Sequence, residues 1–318
     1  MISISVLMPT KNSVEWLDEV LSAIQIQKSE YDIKLVLVDG YSKDGTVEKA
    51  REYFPDLIVI YDISRNLAIA RNICLDEGRK LKTDYMAFID SDVIVPFNFF
   101  KRMIRHLSNP NVVISATRFE LEHDPPKYFV SKHYRNRKDI KRRGIAKTDY
   151  TTTACSMWKS HSSEGIVLDE RLKRAGEDVD FNLQLIEKGN YYALVDCDEP
   201  HSIHIRPATI REELHRVKDH GMARALLMKL HRKSLDPMRY KKTILASILT
   251  FMGWIGLIST LFLGRFWMIG LIPFSILFLR HWMKTRDKRR LDYAFFGFLM
   301  STIYLTRFIQ GVIKYRNE

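Results

Sequence analysis

Asp90 and Asp92, in Asp90-Ser91-Asp92, follow the apolar run Met86-Ala87-Phe88-Ile89. Two carboxylates at i and i+2 on a strand-to-loop corner can converge on one hard divalent cation and, through it, on a diphosphate. Phosphate oxygens and water would complete an octahedron around Mg2+ or Mn2+. Aspartates also cap turns everywhere, so this pair gains its meaning from its company. Asp39-Gly40-Tyr41-Ser42-Lys43-Asp44-Gly45-Thr46 offers glycines for close backbone approach and, in Asp39, an acceptor for a base or ribose. Alone it would read as an Asp-Gly turn with a threonine N-cap. Gly176-Glu177-Asp178 opens a predicted helix, where acids are favoured by the macrodipole in any case. Beside a metal-bound diphosphate, Glu177 or Asp178 could take the proton of an attacking acceptor hydroxyl. His201 and His204 should face opposite ways on a strand, so at most one is a third metal ligand and the other a hydrogen-bonded structural histidine.

The elements that must position these residues alternate. Ile2 to Met8, Asp32 to Val38, Leu57 to Tyr61 and Tyr85 to Ile89 read as strands, with helices around Trp16 to Ile24, Thr46 to Phe54 and Leu67 to Glu77 between them. That order predicts βαβ units and a parallel sheet. Ligands of open α/β sheets gather at the carboxyl ends of the strands, which selects Pro9 to Asn12, Asp39 to Thr46 and Asp90 to Asp92. A helix from Pro96 to Leu107 and a strand from Val112 to Phe119 follow. Residues 123 to 148 break the pattern as a mobile basic segment. Beyond it the sequence predicts strands at Tyr150 to Trp158, Tyr191 to Val195 and Ser202 to Ile205, and a helix at Glu177 to Lys188.

The remaining third is different. Residues 208 to 233 are amphipathic and basic, with Leu214, Val217, Met222, Ala225, Leu226 and Leu230 opposite Arg211, Arg216, Lys218 and Arg224. Such a helix can lie on a bilayer or dock on protein. Thr243 to Leu263 carries no charge and is long enough to span; Phe266 to Leu279 and Tyr293 to Ile313 are further apolar runs, giving two or three passes. Cations before the first run and between Arg280 and Arg290 put both flanks of a first hairpin, and the N-terminal domain, in the cytosol. The N-terminus has no basic n-region or long apolar stretch of a signal peptide.

Over the whole chain, 318 residues with 28% charged and 46% hydrophobic exclude a disulfide miniprotein and wholesale disorder. Three widely spaced cysteines indicate neither zinc nor disulfides. A net charge of +12 suits an anionic partner without choosing one.

In this order and spacing, Pro9-Thr10-Lys11-Asn12, Asp39 to Thr46, Asp90-Ser91-Asp92 and Gly176-Glu177-Asp178 resemble the family 2 glycosyltransferases of GT-A fold, over about residues 2 to 205. The resemblance implies an α/β Rossmann-like sheet with nucleotide contacts at Pro9, Thr10, Asp39 and Asp90, metal at Asp92, and Asp178 as general base of an inverting transfer. Asn12, Ser42, Arg71 and Ser91 are assigned to the same nucleotide-sugar site, and Asp90, His204 and His201 to the metal. The Arg71-Asn72 pair resembles a family segment near the donor. Processive synthases carry Gln-x-x-Arg-Trp after the Glu-Asp pair; Arg206 to Arg216 has no such run, so a non-processive enzyme is expected.

The expected organisation is a catalytic domain over 1–205, an amphipathic juxtamembrane linker over 206–240 and a membrane domain over 241–318. The expected activity moves a sugar from a nucleotide-sugar donor to a hydroxyl of a membrane-bound, lipid-linked glycan, with Mg2+ or Mn2+, the lipid bilayer as partner and no nucleic acid. The expected location is the cell membrane, multi-pass, with the catalytic domain facing the cytoplasm. A polyprenyl- or dolichyl-phosphate sugar synthase, whose phosphate acceptor needs no base, is the enzymatic alternative. A non-catalytic, membrane-anchored basic binding protein is the alternative of another class.

Overall fold

The computed structural model describes residues 1–121, 128–137, 143–189, 191–205, 209–234 and 267–316, with isolated positions between 245 and 255. It divides into two compact units, Met1–Pro126 with Lys141–Pro207, and Lys127–Ile140 with Ala208–Glu318.

The first unit is built on an eight-stranded sheet. Its parallel half comprises Ser3–Thr10 (β1), Asp32–Asp39 (β2), Ile58–Tyr61 (β3) and Tyr85–Ile89 (β4), ordered β3-β2-β1-β4. Strand alternation divides the core between two faces. Val6, Met8, Leu35, Leu37, Ala87 and Ile89 point to one side, where Leu17, Val20, Leu21 and Ile24 of α1 (Val14–Gln25) cover them. Leu7, Val36, Val38, Met86 and Phe88 point to the other, against Ala68, Cys74 and Leu75 of α3 (Leu67–Lys80). In the chain α2 (Thr46–Tyr53) comes between them, with Val47 and Ala50 on the α1 side of the sheet, so three helices make the crossovers that the alternation predicts.

The sheet continues through Cys155–Lys159 (β9), which runs antiparallel between β4 and Val112–Thr117 (β6), to Tyr192–Asp196 (β10) and Ile145–Thr148 (β8). The predicted strand from Tyr150 is therefore shorter at its start. Thr151 is drawn off the ladder because Asn182, on α6 (Glu177–Glu187), accepts from its N–H and donates to its carbonyl, both at 3.1 Å. A second sheet of three short strands sits beside the first: Val93–Ile94 (β5), Ser202–His204 (β11) and Phe119–Leu121 (β7).

The turn into β11 is clamped by Asp196. Its carboxylate accepts from His106 and Arg102 of α4 (Phe99–Leu107) at 2.8 and 3.0 Å, and Arg102 also donates to the carbonyls of Asp198 and Pro200. Burial alone would raise the Asp196 carboxyl, but these hydrogen bonds and the Asp198 N–H outweigh it and hold it far below the ordinary carboxylate range. A depressed carboxyl contributes stability above its unfolded value, near 3.9, that is lost as pH falls through the folded one. Asp196→Asn is expected to cost about 3 kcal/mol at neutral pH by breaking a buried pair. It should also flatten the acid limb of stability below about pH 4. Thermal unfolding across pH checks both; an unchanged Tm would contradict the clamp.

The second unit is helical. Phe129–Arg135 (α5) lies within the stretch 123–148 that the sequence predicts to be a mobile basic segment, and Ile145–Thr148 of that stretch is β8 of the first unit; residues 122–127 and 138–142 lie outside the described set. Ile210–Leu230 (α7) starts at a capping box formed by Thr209 and Glu212. Its apolar face, with Val217, Ala225 and Leu226 buried, packs on the C-terminal helix Leu291–Lys314. The first predicted span, 243–263, is almost wholly outside the described residues. The second run lies in the helix Trp267–Lys284. Among the described residues, Leu291–Lys314 alone is long and apolar enough to cross a membrane, and 44% of its most apolar window is buried in protein.

Candidate active site

Three loops at the carboxyl ends of the parallel strands are tied together by short polar side chains. Asp39 is fully buried at the end of β2, where it accepts from the Ser42 N–H at 2.8 Å and the Ser42 hydroxyl at 2.5 Å. Ser42 Oγ in turn accepts from the Asn12 N–H at 2.7 Å, and Asn12 Oδ1 accepts from Lys43. Asn12 holds this position with a φ of 47°, a left-handed conformation that asparagine tolerates better than most residues. Asp39, Ser42 and Asn12 thus form one network, and Asp39 shapes the loop through Ser42. Ser13 extends the network to the acidic corner, with its hydroxyl 2.9 Å from Ser91 Oγ. Thr10 and Asp39 are register partners on neighbouring strands. The Thr10 hydroxyl is buried without a hydrogen-bond partner among the described residues.

Two exposed aromatic rings lie at the Asp39 end. Tyr41, with a φ of 58°, and Tyr61, the β3 partner of Asp39, have centroids 5.2 Å apart. The Asp-Gly-Tyr motif contains Tyr41, but only the β2–β3 register brings Tyr61 to it. Such a pair can stack on a flat ring.

Asp90 and Asp92 diverge. Asp90 Oδ1 accepts from Arg71 Nη2 at 3.0 Å, whereas Asp92 Oδ2 lies 3.5 Å from His204 Nε2. The small sheet explains the second contact: β11 pairs with β5 so that His204 is opposite Val93, and Ile205 N–H donates to the Asp92 carbonyl at 2.9 Å. His201 is turned elsewhere. Its Nε2 is 2.9 Å from the Cys197 carbonyl and its Nδ1 3.2 Å from Glu199, so of the two histidines only His204 lies beside Asp92. Asp92 and His204 are only partly buried and offer one carboxylate and one imidazole. The pair offers a divalent cation one oxygen and one nitrogen donor. Among the described residues no three His, Cys, Asp or Glu side chains form a complete cage. The other coordination positions would fall to diphosphate oxygens and water.

Arg71 joins the acidic corner to the start of α6. Only 2% of it is exposed; besides Asp90 it reaches Glu177, with Nε 3.5 Å from Oε1, and its guanidinium stacks 4.8 Å over the Phe88 ring. Burial, with the Asp178 charge adding to it and Arg71 opposing, pushes the Glu177 carboxyl up to about 7. Gly176 enters α6 with a φ of 87°, and Asp180 accepts from the Asp169 N–H at 2.8 Å, fixing the first turn. Glu177 therefore points inward to Arg71, while Asp178, about 100° further round the helix, is half-buried and can be reached from solvent. Of the two candidate bases, geometry leaves this one accessible.

A family model described as glycosyl transferase family 2 matches residues 5–164. The chain is 26% identical over 242 residues, 70% of its length and 72% of the relative's, to an O-antigen chain rhamnosyltransferase of Salmonella typhimurium. Among solved structures it is similar to residues 1–349 of S. aureus TarS in complex with UDP-GlcNAc. There the TM-score is 0.57 with 15% identity, covering 99% of this chain and 92% of that one. It spans 43% of a longer TarS chain. It is equally similar to a mannosyltransferase of Pyrobaculum calidifontis in complex with GDP-Man and Mn2+, at TM-score 0.57, 16% identity, and 99% and 88% coverage. At these identities the structural likenesses show the GT-A-like fold.

Proposed function

The chain belongs to glycosyl transferase family 2 and is a transferase, and from that premise we propose that it moves one sugar, with inversion, from a nucleotide-sugar donor to a hydroxyl of a membrane-bound, lipid-linked glycan. The observation that carries this reading is Arg71, which holds the Asp90 corner and the Glu177-Asp178 turn side by side. The names of the relatives support its parts: UDP-GlcNAc and GDP-Man in the similar structures for the donor, and an O-antigen chain for a glycan acceptor.

In this reading the Asp39–Ser42–Asn12 network, Pro9, Thr10 and Ser91 hold the nucleotide, with Tyr41 and Tyr61 beside its ring. Asp92 and His204 would hold a divalent cation, which when bound offsets charge on the departing diphosphate. Asp178 accepts the proton of the acceptor hydroxyl as its oxygen attacks the anomeric carbon. The bond from that carbon to the diphosphate breaks on the opposite face, and its electron pair leaves with the diphosphate. Arg71 keeps Asp90 oriented and Glu177 turned away from the acceptor. In the same reading this unit works on the cytoplasmic side of the cell membrane; the cations flanking the apolar runs support that side.

The test is release of nucleoside diphosphate from a panel of nucleotide sugars, with and without chelator. We expect one preferred donor and dependence on divalent metal. His204→Ala should raise the Mn2+ concentration needed by at least the ~10–100-fold that loss of a residue merely supporting a metal ligand costs. No release from any donor, with salt-sensitive nucleic-acid binding instead, would favour a basic binding protein.

A further inference from the structure

The C-terminal helix has the length and hydropathy of a membrane span, but its neighbour determines how it can meet a bilayer. Within the helical unit, Val217 of α7 packs with Phe296 and Met300. Gly221 lies against the Tyr304 carbonyl and Ala225 against Gly311, and Lys229 Nζ donates to the Tyr315 carbonyl at 3.1 Å. The partner numbers rise together, so the two helices run side by side, in the same direction, along most of their length. Eight of the 21 residues of α7 are charged, with Glu213, Arg216, Lys218 and Asp219 among them. Glu213 is buried and held by Tyr134 and Arg216 at 2.7 and 2.8 Å. If Leu291–Lys314 crossed a bilayer, it would draw this charged neighbour into hydrocarbon. Each charge at a span's centre costs several times what one Leu or Phe returns.

The opposite side of the same helix exposes Leu291, Phe295, Leu299, Ile309 and Ile313, which at 100° per residue fall within an arc of about 80°. The helix Trp267–Lys284 exposes a second stripe, Ile272, Ile276, Leu279 and Met283, at spacings of four, three and four. Residues 280–290, the last turn of that helix and the link to Leu291–Lys314, carry Arg280, Lys284, Arg286, Lys288, Arg289 and Arg290 against the single acid Asp287. Two apolar stripes joined by a cationic turn complement hydrocarbon below and anionic headgroups above.

We propose that the Leu291–Lys314 helix lies in the plane of an anionic membrane surface, its Phe295 stripe submerged and α7 riding on its other side, and does not cross. The amphipathic pattern of α7 allows a bilayer or a protein neighbour; with that face packed on protein, the membrane role passes to the helix beneath. This proposal is independent of the sugar-transfer reading.

The full chain, added to preformed vesicles, should float with phosphatidylcholine–phosphatidylglycerol vesicles and much less with phosphatidylcholine alone. Phe295→Glu combined with Ile313→Glu should lower partitioning at least about 10-fold, with unchanged circular dichroism. Topology is read by single cysteines, Asp292→Cys or Arg316→Cys, against a background of three buried native cysteines. An impermeant maleimide outside the vesicles should label both positions equally. Protection of one end would show a crossing helix and overturn the proposal. Equal flotation with neutral vesicles would do so as well, as would absence of vesicle binding with a self-associated chain that the glutamate pair renders monomeric. Nucleoside diphosphate release by the glutamate variant separates failure here from failure of the catalytic reading.

Discussion

Asp178→Asn is expected to lower kcat by about 10²–10⁴-fold with a hydroxyl acceptor while leaving the affinity for nucleotide sugar unchanged. The substitution preserves shape and removes only proton affinity. Val179 N–H donates to Asp178 Oδ1 at 2.8 Å, and an amide oxygen can take the same bond, so the first turn of α6 should persist. The inward neighbour gives the control. Glu177→Gln should retain most turnover at neutral pH, because the Glu177 carboxyl is pushed up to about 7 and is already partly neutral there. If Asp178→Asn kept wild-type kcat, the base assignment would fall, and an acceptor that arrives as a phosphate anion would be preferred. If Glu177→Gln were the dead variant, the roles of the two acids would be exchanged.

Much of the first unit can be read along the chain because its evidence is local. Period two in β1, β2 and β4 and the Leu17–Val20–Leu21–Ile24 stripe of α1 give the two-faced core directly. What escapes reading is set by register. Two-residue β5 and three-residue β11 are too short to show a period, yet their pairing brings His204, and not His201, to Asp92. Sequence parity requires only that the two histidines differ. Arg71 is harder still: an arginine on a helix ordinarily faces water, and its burial follows from acids 19 and 106 positions later in the chain. In the second unit the apolar residues of α7 are legible, but what covers them depends on a helix some sixty residues further on, and their pattern alone cannot separate a lipid neighbour from a protein one.

Arg71→Met should be the most damaging single change in the first unit. The guanidinium is the countercharge for Asp90 and for Glu177, whose second carboxylate oxygen has no hydrogen-bond partner among the described residues. Removing one member of a buried ionic group leaves the others uncompensated, at about 3–5 kcal/mol. The loss should depend on pH. Without Arg71 the opposition to burial disappears, and the Glu177 carboxyl rises above its present value near 7. A carboxyl raised in the folded state contributes stability below its unfolded pKa that is lost as pH rises through the folded one, so the variant should be closest to wild type near pH 5 and furthest from it near pH 8. Arg71→Met with Glu177→Gln should then recover stability at pH 8 without restoring turnover, since Asp90 still lacks its partner and the acidic corner its orientation. Thermal unfolding at the two pH values and donor cleavage by the single and double variants measure these effects separately. A pH-independent loss, or a double variant no more stable than Arg71→Met, would mean that the arginine acts through its stacking on Phe88 and not as the tie between the two acidic turns.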